Sequence, residues 1–136
     1  MLDTKMKQSL VDRALLAREM SYAPYSGFAV GAALLTSDGK IYTGANIENS
    51  SFTPTVCAER VAIFSAVHAG ERDFAAIAIV GGEKGTPVSR FCPPCGVCRQ
   101  VMGEFCDPEM PVILYDGDSM REYSLGALLP ARFDLL

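Results

Sequence analysis

Three cysteines stand at the predicted starts of two helices, and their placement limits the possible folds more than any other feature of the chain. Cys95 and Cys98 are three residues apart, which puts two thiols about 5–6 Å apart on one helical face. Tetrahedral zinc requires sulfurs roughly 3.8 Å apart, and such a pair reaches this distance when its side chains lean together. Cys57 begins the other helix. Helix N-termini favour thiolates, so two facing helix starts would hold three thiolates around one metal.

The spacing of apolar residues and turn signals predicts nine elements in the order αββαβαββα. Helices are predicted at 5–20, 57–69, 94–105 and 125–129, and strands at 28–36, 41–47, 74–81, 112–115 and 121–123. Pro94 is expected at the first position of the third helix, where a missing N–H costs nothing. This order predicts an α/β fold, a three-layer α/β/α sandwich in which helices cover both faces of a central mixed sheet of about five strands.

Length and composition predict one globular domain spanning residues 1–136. Hydrophobic residues make up 49% of the chain and charged residues 21%, which is enough for an ordinary core and argues against disorder. The net charge is −4, and the basic residues are scattered along the chain. A polynucleotide is therefore not an expected partner, because the basic stripe that neutralises phosphates is missing.

The first ten residues lack the apolar stretch of a signal peptide, and no run approaches the ~20 apolar residues that span a bilayer. We therefore expect a cytoplasmic protein that does not contact a membrane. In that reducing compartment, the five cysteines are expected to be metal ligands or buried thiols rather than disulfides.

The number of metal ligands decides what the thiol cluster can do. Three protein ligands leave a fourth zinc position for water, whereas four make a closed structural site. Cys92 is the candidate fourth ligand, but the pair Pro93-Pro94 favours an extended segment that carries it away. The spacing of Cys95 and Cys98 alone also permits a redox dithiol. The two other residues that could bind a metal are expected to lie away from the thiol cluster, with His68 on the surface and Cys106 in the core.

Two motifs share the clustered cysteines. They are Cys57-Ala58-Glu59-Arg60 and, after a loop and a strand, Pro94-Cys95-Gly96-Val97-Cys98-Arg99-Gln100. Together they resemble the zinc signature of the short-chain, homotetrameric cytidine deaminases. They follow the deaminase pattern of (His or Cys)-x-Glu and Pro-Cys-x-x-Cys in its all-cysteine version. Further similarity lies in segments 22–26, 28–34, 46–49 and 128–130 and in Phe133. The chain departs from the family in a longer 89–93 stretch containing Cys92, and in Phe52 where the family often has Tyr.

The resemblance implies a hydrolase that converts cytidine and 2′-deoxycytidine to uridine and 2′-deoxyuridine with release of ammonia, as in pyrimidine salvage. It assigns Cys57, Cys95 and Cys98 as ligands of one Zn²⁺ per chain, whose bound hydroxide attacks C4 of the cytosine ring. Glu59 is implied as the catalytic residue that carries protons from the water to N3 and to the leaving ammonia. Arg60 is implied to donate hydrogen bonds to a ligand sulfur, which draws charge off the thiolates.

The resemblance also assigns five substrate-binding residues. It places Phe28 against one face of the pyrimidine, and Phe133 of a neighbouring subunit over the other. Asn46 and Glu48 are implied to bind the 3′-hydroxyl of the sugar, and the Ala58 N–H to meet the carbonyl oxygen of the base. These roles imply a homotetramer whose active sites are shared between subunits.

Two alternatives remain open. A related deaminase acting on a cytosine-nucleoside antibiotic would keep the zinc chemistry and change only the substrate contacts. A non-catalytic zinc module closed by Cys92 would leave Glu59, Asn46 and Glu48 without a reason to occur together.

Overall fold

A computed structural model describes residues 2–135 as a central sheet with helices on both faces. The helices are α1 (Thr4–Arg18), α2 (Ala58–His68), α3 (Gly96–Phe105) and α4 (Leu125–Leu128). The strands are β1 (Phe28–Thr36), β2 (Ile41–Ala45), β3 (Phe74–Glu83), β4 (Pro111–Tyr115) and β5 (Met120–Ser124). The predicted order of helices and strands is confirmed over these residues. No helix within them combines the length and hydropathy that crossing a membrane requires.

The predicted start of the third helix is wrong. Cys95 is the N-cap of α3, with an extended backbone at φ −70° and ψ 170°, so Pro94 precedes the helix instead of opening it. The end predicted for the third strand is also too early, because Gly82 and Glu83 continue to pair with β1.

The five strands form one mixed sheet in the order β2-β1-β3-β4-β5. The pairs β1–β2, β1–β3 and β4–β5 are antiparallel, whereas β3 and β4 are parallel. A parallel pair needs a crossover connection, and α3 lies within the one between β3 and β4. The predicted mixed sheet of five strands is therefore confirmed.

Two hydrophobic clusters separate the three layers. On one face, Leu10, Val11 and Ala14 of α1 pack with Ala33 of β1 and Val80 of β3. On the other face, the buried residues of α2 and α3 pack with alternate residues of the same strands, including Ala32, Leu34, Ile77 and Ile79. Because successive strand residues point to opposite faces, one set of strands serves both clusters and both are shielded from water.

A glycine on β2 lets the start of α2 lie directly against the sheet. A Cβ at Gly44 would stand 2.5 Å from the carbonyl oxygen of Ala58 and 2.6 Å from the nitrogen of Ala62. No side chain fits such a gap. The sheet therefore determines where the first turn of α2, and with it Cys57 and Glu59, is placed.

Candidate active site

The candidate site lies where two helices begin. Cys57 is the N-cap of α2 and Cys95 is the N-cap of α3, and neither thiol makes a side-chain capping hydrogen bond. The first N–H groups of a helix have no intrahelical partner and carry the positive end of its dipole. Both helix starts therefore present a favourable environment to anionic sulfur.

The three predicted cysteines form one cluster. The Sγ atoms of Cys57 and Cys95 are 3.8 Å apart, and those of Cys95 and Cys98 are 3.6 Å apart. All three sulfurs lie within 4.8 Å of one another. These separations match the roughly 3.8 Å between sulfurs bound to a tetrahedral zinc ion. Cys98 is buried and Cys95 is exposed, so the cluster is accessible from one side.

Arg60 supplies positive charge to this cluster. Its Nη2 donates a hydrogen bond of 3.3 Å to the sulfur of Cys57. Hydrogen bonds from Cys98 and Arg60 lower the pKa of Cys57, and the contact with Cys57 together with burial raises that of Cys98. The Nε of Arg60 is buried and has no hydrogen-bond partner within the described part of the chain. Arg60 therefore stabilises a thiolate at Cys57, the form in which cysteine binds zinc.

Glu59 lies beside the cluster in the first turn of α2 and is only 3% exposed. Burial raises the pKa of its carboxyl to about 7. A group that transfers protons works best when its pKa is near the operating pH. The local environment thus suits Glu59 to a proton-transfer role at neutral pH.

The structure does not bring Cys92 into the thiol cluster, whose members are Cys57, Cys95 and Cys98. Cys92 is half-buried, and burial raises the pKa of its thiol to about 11. The two other potential metal ligands lie where the sequence predicted them: Cys106 is buried in the core, and His68 is exposed at the end of α2. The geometry therefore favours an open three-thiolate site over a closed site with four.

The Asn46 side chain is held by three hydrogen bonds. Its Oδ1 accepts from the backbone N–H of Val30 at 2.9 Å and from the hydroxyl of Ser21. Its Nδ2 donates to the carbonyl of Phe28 at 2.8 Å. Because both donors point at the oxygen, the amide orientation is determined. Among residues 2–135, the second N–H of Nδ2 has no hydrogen-bond partner, so it can donate to a ligand.

Glu48 follows Asn46 by two residues and holds the segment that precedes β1. Its Oε1 accepts from the backbone N–H groups of Tyr25 at 2.9 Å and Ser26 at 3.1 Å. The Ser26 hydroxyl donates to Oε2, and this bond lowers the pKa of the Glu48 carboxyl. The carboxylate is thus ionised and fixed in position. The supporting roles of Ser21 and Ser26 were not predicted from the sequence, although Ser26 lies in the similar segment 22–26.

The two aromatic candidates lie in different surroundings. Phe28 begins β1 and is half-buried, with the guanidinium carbon of Arg90 5.5 Å from its ring centroid. Phe133 is 69% exposed, and Gln100 of α3 donates a 2.9 Å hydrogen bond to its backbone carbonyl. The ring of Phe133 is therefore not buried within its own chain. Ala58, the first residue of α2, is fully buried beside Glu59.

Comparisons with known proteins agree with this site. Residues 4–114 match the family described as "Cytidine and deoxycytidylate deaminase zinc-binding region". A cytidine deaminase from Sporosarcina psychrophila is 51% identical over 128 residues, covering 93% of this chain and 90% of its own. The blasticidin-S deaminase of Bacillus cereus is more distant, at 33% identity over 107 residues and 76% of each chain.

A solved structure shows the same fold. The crystal structure of cytidine deaminase from Burkholderia pseudomallei superposes with a TM-score of 0.83 and 50% identity, covering 93% of this chain and 98% of that one. The matched family region contains Glu59 and all three clustered cysteines. The chain therefore belongs to the zinc-binding cytidine deaminase family.

Proposed function

We propose that this protein hydrolyses the exocyclic C–N bond of cytidine and 2′-deoxycytidine, giving uridine and 2′-deoxyuridine with release of ammonia. The observation that carries the proposal is the buried Glu59 carboxyl, with a pKa near 7, beside three thiols at two helix starts. Cys57, Cys95 and Cys98 would hold one Zn²⁺ per chain. When bound, zinc supplies a Lewis acid that lowers the pKa of water toward neutrality.

Glu59 would be the catalytic residue that moves the protons. Its carboxylate takes one proton from the attacking water and delivers it to N3 of the cytosine ring. It then transfers the second water proton to the amino group at C4, which leaves as ammonia. Burial helps this cycle, because a carboxyl with a pKa of about 7 can both accept and release a proton near neutral pH.

The remaining residues would bind the nucleoside. Asn46 has one N–H left to donate to the 3′-hydroxyl, and Glu48 has an ionised carboxylate to accept from it. Phe28 would lie against one face of the pyrimidine, and the N–H of Ala58 would meet the carbonyl oxygen of the base. Recognition through the 3′-hydroxyl alone admits both ribose and deoxyribose. The Glu48 carboxylate would also disfavour a 5′-phosphate.

The competing functions receive less support. An antibiotic substrate is disfavoured, because the blasticidin-S deaminase of Bacillus cereus is 33% identical to the chain, whereas the cytidine deaminase of Sporosarcina psychrophila is 51% identical. A closed zinc module requires a fourth thiolate, and Cys92 does not join the cluster.

We also propose that the protein is a single-domain homotetramer of the cytoplasm that serves pyrimidine salvage. The exposed ring of Phe133 supports shared sites, since a neighbouring subunit could present such a ring over the pyrimidine. All five cysteines are free of disulfides, which fits a reducing compartment.

The decisive experiment adds purified, zinc-loaded protein to cytidine and follows the loss of its absorbance, with ammonia and uridine measured as products. Blasticidin S is tested in parallel, and Glu59→Gln protein serves as the control. We expect turnover of cytidine and 2′-deoxycytidine by the wild-type protein only. Selective turnover of blasticidin S would support the antibiotic alternative, and turnover of neither substrate would contradict the proposal.

A further inference from the structure

We propose that Cys92 and Gly81 are a matched pair that positions the ring of Phe28 for the pyrimidine. This inference rests on the proposed contact between Phe28 and the base. It gives a role to the thiol that the metal cluster does not include, and it makes Cys92 and Gly81 positioning residues rather than catalytic ones.

The pair is defined by one close approach. A Cβ at Gly81 would lie 2.7 Å from the sulfur of Cys92, 3.0 Å from its Cβ and 3.1 Å from Cε2 of Phe28. The thiol and the edge of the ring therefore occupy the space that a side chain at position 81 would take. Gly81 itself is buried, whereas Cys92 and Phe28, which fill this notch beside it, are half-buried.

The strand register places this notch on the face of the sheet that carries the site. Gly81 pairs with Val30, and Glu83 pairs with Phe28. Phe28 precedes Val30 by two residues on β1, and Glu83 follows Gly81 by two residues on β3. Residues two apart on a strand share a face, and diagonal neighbours across a pair lie within reach of an aromatic ring. Gly82 points to the opposite face, where its nearest neighbour, Nη2 of Arg18, would be 3.5 Å from a Cβ.

The segment that carries Cys92 is anchored on both sides of the thiol. Before it, the Phe91 ring packs against the core, and the guanidinium carbon of Arg121 lies 4.2 Å from its centroid. After it, Pro93 and Pro94 restrict the backbone and lead directly to Cys95. Arg90 covers the ring of Phe28 at 5.5 Å. These contacts hold the backbone of Cys92 in place beside Gly81.

The test compares Gly81→Ala with Gly82→Ala, which adds the same methyl group to the same strand on the other face. Gly81→Ala should push the Phe28 ring from its position and raise KM for cytidine roughly 2- to 10-fold, the range expected for an aromatic contact. The value of kcat should change little, because the ring contacts the base in both the ground state and the transition state. Gly82→Ala should leave both constants at their wild-type values.

A compensating change separates this role from general destabilisation. Cys92→Gly combined with Gly81→Ala moves the side chain from one partner to the other, and should return KM toward the wild-type value. If Gly81→Ala protein does not fold, Cys92→Leu tests the same notch from the other side and should raise KM in the same way. An unchanged KM in these variants would overturn the positioning role of Cys92 and Gly81, and so would a double variant whose KM is as high as that of Gly81→Ala. Neither result would contradict the proposed deaminase function. Inactive wild-type protein would overturn the proposed function and the pair with it.

Discussion

Arg60 donates a hydrogen bond from Nη2 to the sulfur of Cys57, one turn earlier on α2, at 3.3 Å. Cys57 also lies at the N-terminus of α2, the positive end of the helix dipole. The guanidinium of Arg60 and the helix dipole therefore both stabilise negative charge on this sulfur. Three thiolates on Zn²⁺ leave a net negative site, which makes the metal a weaker acid toward water. By drawing charge from Cys57, Arg60 would restore part of the acidity that hydrolysis requires.

Replacing Arg60 with Ala should therefore weaken zinc binding by about 10- to 100-fold, the range typical when a group supporting a metal ligand is lost. Activity of the zinc-loaded variant should fall less than that of Glu59→Gln, because Arg60 carries no proton. Competition with a chelator measures the affinity, and Arg13→Ala, at an exposed arginine of α1, is the control. Wild-type zinc affinity in Arg60→Ala would show that the hydrogen bond does not support the metal site.

Glu59→Gln should lower kcat by at least ~10²–10⁴-fold, the usual contribution of general acid–base catalysis. The amide keeps the shape of the carboxyl but cannot carry protons between water, N3 and ammonia. The zinc content should stay at one per chain, since Glu59 is not a member of the thiol cluster. Steady-state kinetics with metal analysis checks both statements. A zinc-loaded Glu59→Gln protein with substantial activity would exclude Glu59 as the proton carrier.

The sequence allowed the order of elements, the mixed sheet and the three clustered cysteines to be predicted, because each depends on local pattern or on a spacing that metal geometry restricts. The N-cap position of Cys95 was missed, since Pro94 suits the first position of a helix and no local pattern reveals the extended backbone at Cys95. The notch at Gly81 was also missed. It depends on the register between β1 and β3 and on the path of a loop, and both are long-range properties.

Cys92→Ser should retain one zinc per chain and nearly full activity, whereas Ala at Cys57, Cys95 or Cys98 should abolish both. The distinction follows from the position of Cys92 outside the group of three sulfurs. Serine is close to cysteine in size, so it should also fill the notch at Gly81 and leave KM near the wild-type value. The zinc content of the four purified variants shows which of the four cysteines bind the metal. Release of zinc by Cys92→Ser would identify a fourth ligand and contradict the open site.

Truncation after Leu129 should weaken both self-association and nucleoside binding, even though every clustered thiol and Glu59 remain. The removed segment carries Phe133, whose ring is 69% exposed. It also carries Arg132, which donates a 3.1 Å hydrogen bond to the carbonyl of Gly103 and so holds the segment against α3. An exposed ring held on the surface in this way is suited to contact a neighbouring subunit.

Phe133→Ala separates the ring from the rest of the segment, because it leaves Arg132 and the backbone contact with Gln100 in place. If the ring covers the pyrimidine of a neighbouring subunit, this variant should raise KM for cytidine while zinc content stays unchanged. Sedimentation at the concentration of the assay reports the oligomeric state of both variants and of the wild-type protein. A fully active wild-type monomer would refute shared active sites, because Phe133 would then have no second chain to contact. A tetramer in which Phe133→Ala raises KM would show that each active site is completed by its neighbour.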